Sequence, residues 1–271
     1  MAPTVDTGKP YNLECTGIAL ETVKEHTAAQ DVTLYGQCFC PFTQHEVDHT
    51  NRPEDFLEVS PKGLVPGLSF QNPGGWKGLS ESSVMLEYLN DEGAKTTGRS
   101  LLPPPSNPYA RSLVRLQCDH ISRTLVPSFF RYVFTQEPQA QRQAGKEWND
   151  SLETLVSLFE RSEKEILNNK SGDGAGLGLW IEGNDQLSLT DVLVAPFLYR
   201  ATNVLKHYRD YEMPGGKKFK AYVTRLINHP AFKKTCSTDD LYIDSYERYA
   251  FNRPNPNGQL QNAMNAGKGI P

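Results

Sequence analysis

Apolar and polar positions along this chain follow two different rhythms. Over residues 17–29, GIALETVKEHTAA, the residues Ile18, Leu20 and Val23 stand among polar neighbours, and the spacing predicts a short amphipathic helix ahead of the main fold. DVTLYG at 31–36 is built of strand formers, Val32, Thr33, Leu34 and Tyr35, and Gly36 ends it. VPGLSF at 65–70 predicts another strand, and the glycines of NPGGWKG predict a turn after it. SESSVMLEYLNDEG predicts a helix capped by Ser80 or Ser82. Val84, Leu86, Tyr88 and Leu89 form its apolar side, and Gly93 ends it.

The rhythm changes after LLPPPSNP at 101–108, a proline-rich stretch that cannot propagate a helix and marks a domain boundary. Beyond it the period is helical. Leu113, Leu116, Ile121, Leu125 and Phe129 predict a helix over 109–135, kinked at Pro127. Trp148, Leu152, Leu155, Val156, Phe159 and Ile166 predict a second over 139–168. A glycine-rich loop, SGDGAGLG, follows. Ser188-Leu189-Thr190-Asp191 then reads as a capping box at the head of VLVAPFLYRATNVL. Residues 216–235 supply another helix or two, and the Pro/Gly/Asn-rich tail from Asn252 reads as mobile.

The pattern divides the chain into an N-terminal extension (1–30), an α/β unit (31–98), an all-helical unit (107–250) and a tail (251–271). Composition fits a soluble globular protein of 271 residues, 38% hydrophobic and 22% charged. A net charge of −4 provides no broad basic field for nucleic acid. No apolar run approaches the roughly 18 residues of a membrane span. The N-terminus lacks the basic start and apolar block of a signal peptide. Five scattered cysteines, Cys15, Cys38, Cys40, Cys118 and Cys236, do not form a disulfide framework and fit a reducing, cytoplasmic setting.

Three stretches carry candidate chemistry. Cys40 follows a strand and precedes Pro41, so its thiolate is placed to gain from a helix N-terminus. The alternative is a small buried cysteine in a turn. PKGLVP at 61–66 places a proline where a cis peptide exposes the Val65 backbone to an extended ligand. Glu81 and the N–H of Ser82, at a helix start, suit a ligand with both an amine and a carboxylate, or serve as a plain cap. His45-Glu46-Val47-Asp48-His49 matches the bare zinc-peptidase pattern, but Pro41 and Pro53 confine any helix there and no third histidine follows, so no metal is expected. Cys38, Cys118 and Cys236 are expected to be inert. The aromatics Phe129, Phe130, Tyr132 and Phe134 are expected in the core, or as the wall of an apolar pocket.

Together LYGQCFCPF, PKGLVPGL, LSESSVMLEYL, LLPPP and SLTDVLVAPF resemble the cytosolic glutathione transferases, nearest the omega class and its fungal relatives, over about residues 17–250. The resemblance implies a thioredoxin-like N-terminal domain, an all-α C-terminal domain and a homodimer. It implies Cys40 as the nucleophile that forms a mixed disulfide with glutathione as cosubstrate. Phe42 packs at the glutathione site, and Arg52 lies near the glycyl carboxylate. Val65 pairs the cysteinyl backbone beside cis Pro66, and Glu81 with Ser82 holds the γ-glutamyl end. The second partner is a small electrophilic or oxidised molecule, with chemistry of the dehydroascorbate-reductase type.

The sequence departs from that pattern between Cys40 and EVD at 46–48. The family's first helix and most of its second strand, on the order of 15 residues, are missing, and a parallel crossover takes a dozen or more. The α/β domain is therefore shortened. A non-catalytic transferase-like binding or scaffold protein is the alternative reading.

Overall fold

The computed structural model describes residues 12–27, 32–41, 54–166, 187–214 and 216–251. Its first helix, α1 (Gly17–Glu25), precedes strand β1 (Val32–Tyr35), the short helix α2 (Glu54–Val59), strands β2 (Gly67–Asn72) and β3 (Gly75–Ser80), and helix α3 (Ser82–Thr97). The strands form one antiparallel sheet in the order β1-β2-β3, with Leu34 opposite Leu68, Tyr35 opposite Gly67 and Leu68 opposite Leu79. Among the described residues no parallel strand lines the outer edge of β1, where Val32 is exposed.

The alternation of β2 explains the layering. Leu68 and Phe70 point to one face and cluster with Met85 of α3, and Phe70 stacks on Tyr88 with ring centroids 4.5 Å apart. The other face carries glycines. A Cβ on Gly67 would lie 3.1 Å from the Phe56 ring, and one on Gly78 would lie 3.0 Å from the Val59 backbone. Bare backbone at these two positions lets α2 seat on the sheet with Phe56 fully buried.

Two predicted boundaries move. The stretch GWKGLS, expected to follow or belong to a turn, is strand β3, held by its pairing to β2. The SESS helix is not capped by Ser80 or Ser82: its N-cap is Glu81, with no side-chain cap. It runs past Gly93 to Gly98, whose φ of +70° closes it as glycine allows. On this helix Val84 and Leu89 are exposed, while Met85 and Asn90 are buried.

The helical part comprises α4 (Pro108–His120), α5 (Val126–Phe134), α6 (Pro138–Ile166), α7 (Leu189–Arg200), α8 (Lys206–Arg209), α9 (Lys217–Ile227), α10 (Pro230–Lys233) and α11 (Asp239–Ala250). The helix predicted over 109–135 is built from α4, a five-residue π segment, Ile121–Leu125, and α5, with Pro127 in the first turn of α5. A second π segment, Ala201–Leu205, joins α7 to α8. The capping box forms as expected: Ser188 Oγ accepts from Asp191 N at 3.2 Å, and Ser188 N donates to Asp191 Oδ2 at 2.7 Å. Phe129 is buried edge-on to Phe130, Trp148, Phe197 and Tyr246, and Tyr132 and Phe134 pack partly buried against the same core. The glycine-rich loop and the tail fall outside the described residues.

The linker is held from both sides. Asn90 Oδ1 accepts from Leu101 N at 2.7 Å, Leu189 N donates to Leu101 O at 2.8 Å, and Arg115 grips Glu87 with two bonds of 2.9 Å. The extension is fastened to the far end of the chain. Asn12 Nδ2 donates to Asp244 Oδ2 at 2.8 Å, Ala19 N to Cys236 O at 3.2 Å and Thr22 Oγ1 to Lys234 O at 2.7 Å.

Candidate functional site

The site grows from the C-terminal end of β1. After Tyr35 the chain leaves the sheet and turns, with Cys40 N donating to Gln37 O at 3.1 Å. Cys38 and Cys40 therefore do not share a strand face. Cys38 is buried and its Sγ donates to Asn12 O at 2.9 Å, whereas Cys40 is only half-buried. Phe39, between them, packs edge-on against Tyr246 at 6.4 Å. The cysteine turn is thus tied to α11 and to the extension.

Antiparallel pairing of Tyr35 with Gly67 brings the start of β2 to this turn. The peptide between Val65 and Pro66 is cis, as the sequence predicts. Pro41, Pro66 and Ser82 line one cleft, so three separated stretches converge there. Glu81, just before α3, has φ +74° and ψ +113°, a region that a residue with a Cβ rarely enters. Such strain persists where surroundings over-determine it, and it concentrates at ligand clamps. Its carboxylate pairs with Lys62 Nζ at 3.0 Å on the surface. Behind it the first turn of α3 leaves backbone N–H groups free of intrahelical partners.

Phe42 and Arg52 lie outside the described residues, as does the whole His45–His49 pattern. Among the described residues no cluster of three potential metal ligands occurs. The other cysteines divide as expected. Burial pushes the Cys118 thiol up to about 12, and burial likewise raises Cys236 to about 11, which leaves both protonated at neutral pH.

Two participants were not singled out from the sequence. Tyr246 is buried against the cysteine turn, and its hydroxyl pKa is raised by burial foremost, with the Cys40 charge adding to the shift. Arg200 is 2% exposed, at the end of the otherwise apolar α7, with its guanidinium 3.2 Å from the centroid of the Tyr242 ring. A lone arginine inside the apolar run VLVAPFLYRATNVL was the available signal.

A small antiparallel sheet between helices, followed by an all-helical unit, is the fold this chain shares with solved glutathione transferases. No family model matches the chain. Omega 3C glutathione transferase from Trametes versicolor is 30% identical, with 88% of this chain and 98% of that one covered and a TM-score of 0.69. The chain belongs to the omega-like glutathione transferases. Rice GST1, solved in complex with glutathione, shares the fold at 22% identity, a TM-score of 0.66 and coverage of 84% and 100%. Arabidopsis thaliana glutathione S-transferase DHAR3, a chloroplastic protein, is 24% identical over 203 residues, 74% of this chain and 65% of its own length, a little under two thirds.

Proposed function

We propose that the protein is a glutathione-dependent thiol transferase or reductase with Cys40 as its nucleophile. The observation that carries this reading is the half-buried Cys40, in a turn whose next residue shares a cleft with cis Pro66 and the start of α3. Glutathione is the cosubstrate, as in the complex of rice GST1. Val65 pairs its cysteinyl backbone, Glu81 and Ser82 hold its γ-glutamyl end, and Phe42 and Arg52 complete the site. The Cys40 thiolate attacks the glutathionyl sulfur of a mixed disulfide R–S–S–G. A new S–S bond to Cys40 forms, the old one breaks, and RS⁻ leaves to be protonated by solvent. A second glutathione thiolate then attacks the bound glutathionyl sulfur. Glutathione disulfide departs and Cys40 returns as thiolate.

The second partner is a small oxidised or electrophilic molecule. The functional units are the glutathione-binding domain over 31–98 and the helical domain over 107–250, working in the cytoplasm as a homodimer. Val84 on α3 and Leu116 on α4 are exposed, and the Glu87–Arg115 pair joins these two helices.

The test is intact mass after incubation with glutathione disulfide. One glutathionyl adduct is expected, absent in Cys40→Ser and retained in Cys38→Ser. Loss of the adduct in Cys38→Ser alone would assign the chemistry to the other sulfur. A second reading, a binding protein without turnover, is favoured by one observation. Only residues 42–53 separate the cysteine turn from α2, too few for a parallel crossover followed by a strand. Retention on immobilised glutathione without thiol transfer would support it.

A further inference from the structure

The residues on either side of Cys40 both lead to the helical unit. Phe39 lies edge-on to Tyr246 of α11, with ring centroids 6.4 Å apart. Pro41 lines the same cleft as Arg200 of α7. Tyr246 and Arg200 meet in turn: the guanidinium bonds the Tyr246 hydroxyl and covers the Tyr242 ring, 3.2 Å from its centroid. Tyr246 is 1% exposed and Arg200 2%. Burial above all holds the Tyr246 hydroxyl above the usual tyrosine range; the Arg200 charge opposes that shift and the Cys40 charge adds to it. A protonated phenol thus interacts with both a thiol and a buried cation.

That cation is short of a counter-charge. Among the described residues no ion pair includes Arg200, and its Nε has no hydrogen-bond partner. Asp191, on the same helix and cleft, accepts from Ser188 N, Ser188 Oγ and Tyr222 Oη within 2.7 Å. Asp239 accepts from Tyr199 Oη at 2.8 Å and Asn203 Nδ2 at 2.9 Å. Asp240, Asp244 and Glu247 of α11 line a different, open pocket with His207, and Glu81 pairs with Lys62 on the surface. The faces of α1 and α3 on the cleft carry no charged side chain. Cys236 stays protonated at neutral pH because burial foremost raises it to about 11, and Cys38 Sγ donates to Asn12 O at 2.9 Å. Of the titratable groups around the turn, Cys40 is left to answer the buried charge, and a buried charge is paired in a stable site.

We propose that Tyr246 is a catalytic hydrogen-bond donor to the Cys40 sulfur, and that Arg200 is the positioning residue behind it, fixing the hydroxyl and supplying the charge that favours the thiolate. The proposal rests on the reading of Cys40 as nucleophile and adds the means of its ionisation. A thiol beside a cation gives up its proton more readily. A hydrogen bond to an ionised acceptor is stronger than one to a neutral acceptor, and low-dielectric surroundings strengthen the attraction. Tyr246 keeps its own proton throughout, so the Cys40 proton goes to solvent and the negative charge stays on sulfur. Once Cys40 enters a disulfide, the hydroxyl faces a neutral sulfur and its bond weakens. The same contact therefore favours Cys40 as the leaving thiolate when the disulfide is attacked. Both groups belong to α7 and α11, so this support reaches the thiol from the helical unit.

The pH dependence of Cys40 alkylation by iodoacetamide, followed on the Cys40 peptide by mass spectrometry on the full chain without glutathione, tests it. The parent midpoint is expected below the free-thiol value of about 8.5. Tyr246→Phe deletes one oxygen and should raise the midpoint by about 1, roughly a tenfold smaller thiolate fraction at neutral pH. Arg200→Met should raise it at least as far, and Arg200→Lys should recover part of the difference. A merely structural role would change melting and leave the midpoint in place. If Arg200→Met does not fold, Tyr246→Phe decides alone. A parent midpoint at or above about 8.5, or an unchanged midpoint in either folded variant, would overturn the proposal. Shifted midpoints without a glutathionyl adduct would remove the thiol-transfer reading alone. An adduct with unshifted midpoints would remove this proposal alone.

Discussion

Tyr222 Oη donates to Asp191 Oδ1 at 2.6 Å, with both side chains buried. This bond joins α9 to the head of α7, so the capping box is anchored to the core as well as closed on itself. Removing only the phenol oxygen, in Tyr222→Phe, should cost about 1–2 kcal/mol. Asp191→Ala removes the acceptor of three donors and should cost more, about 3 kcal/mol or above. Urea unfolding followed by circular dichroism measures both; equal, negligible losses would show that the box is held by packing alone.

The sheet depends on two glycines as seats for α2. Gly78→Ala places a methyl group 3.0 Å from the Val59 backbone, which cannot rotate away as a side-chain end can. We expect a loss of about 1–3 kcal/mol, as for overpacking elsewhere. A Val59→Ala partner substitution should not rescue it, because the clash includes the main chain. Denaturation midpoints of the single and double variants read this directly.

Glu81 should trade stability against ligand binding. Glycine enters positive φ without the Cβ penalty, and the surface pair with Lys62 contributes little. Glu81→Gly should therefore raise stability by about 1 kcal/mol while weakening glutathione binding. Thermal melting and retention on immobilised glutathione measure the two sides. A variant that is both less stable and fully retained would contradict the assignment of Glu81 to the ligand.

Stability should fall at alkaline pH. In the fold, burial raises Cys236 from 9.0 to about 11 and Cys118 from 9.0 to about 12, and Tyr35 rises from 10.0 to about 12 through burial and its bond to Asp55. Each group holds its proton more tightly folded than unfolded. Its contribution is thus complete below the unfolded value and is lost as pH rises through the folded one. Melting temperature should hold up to about pH 9 and decline from there toward 11. In Cys118→Ala and Cys236→Ala the decline should be shallower.

Periodicity sufficed to read the long helices, the capping box, β1 and the start of β2 from the sequence, because each is specified by neighbours a few positions apart. Short motifs and the family resemblance, not periodicity, singled out Cys40, the proline of PKGLVP and the Glu81–Ser82 corner. Strand β3 escaped because GWKGLS carries two glycines; it is a strand only through its partner β2, and its bare Gly78 makes sense only once α2 lies on it. Helix α2 and helix α11 went unassigned, the first too short to show a period and the second closing a core built from distant residues. Tertiary structure alone supplied the physical difference between the two neighbouring thiols: Cys38 is sealed by Asn12, a residue that is itself fastened to Asp244, 232 positions away. It alone turned Arg200 from one charge on an apolar helix into a buried cation facing a cleft, since burial and pairing depend on which segments meet, and those meetings span the whole chain.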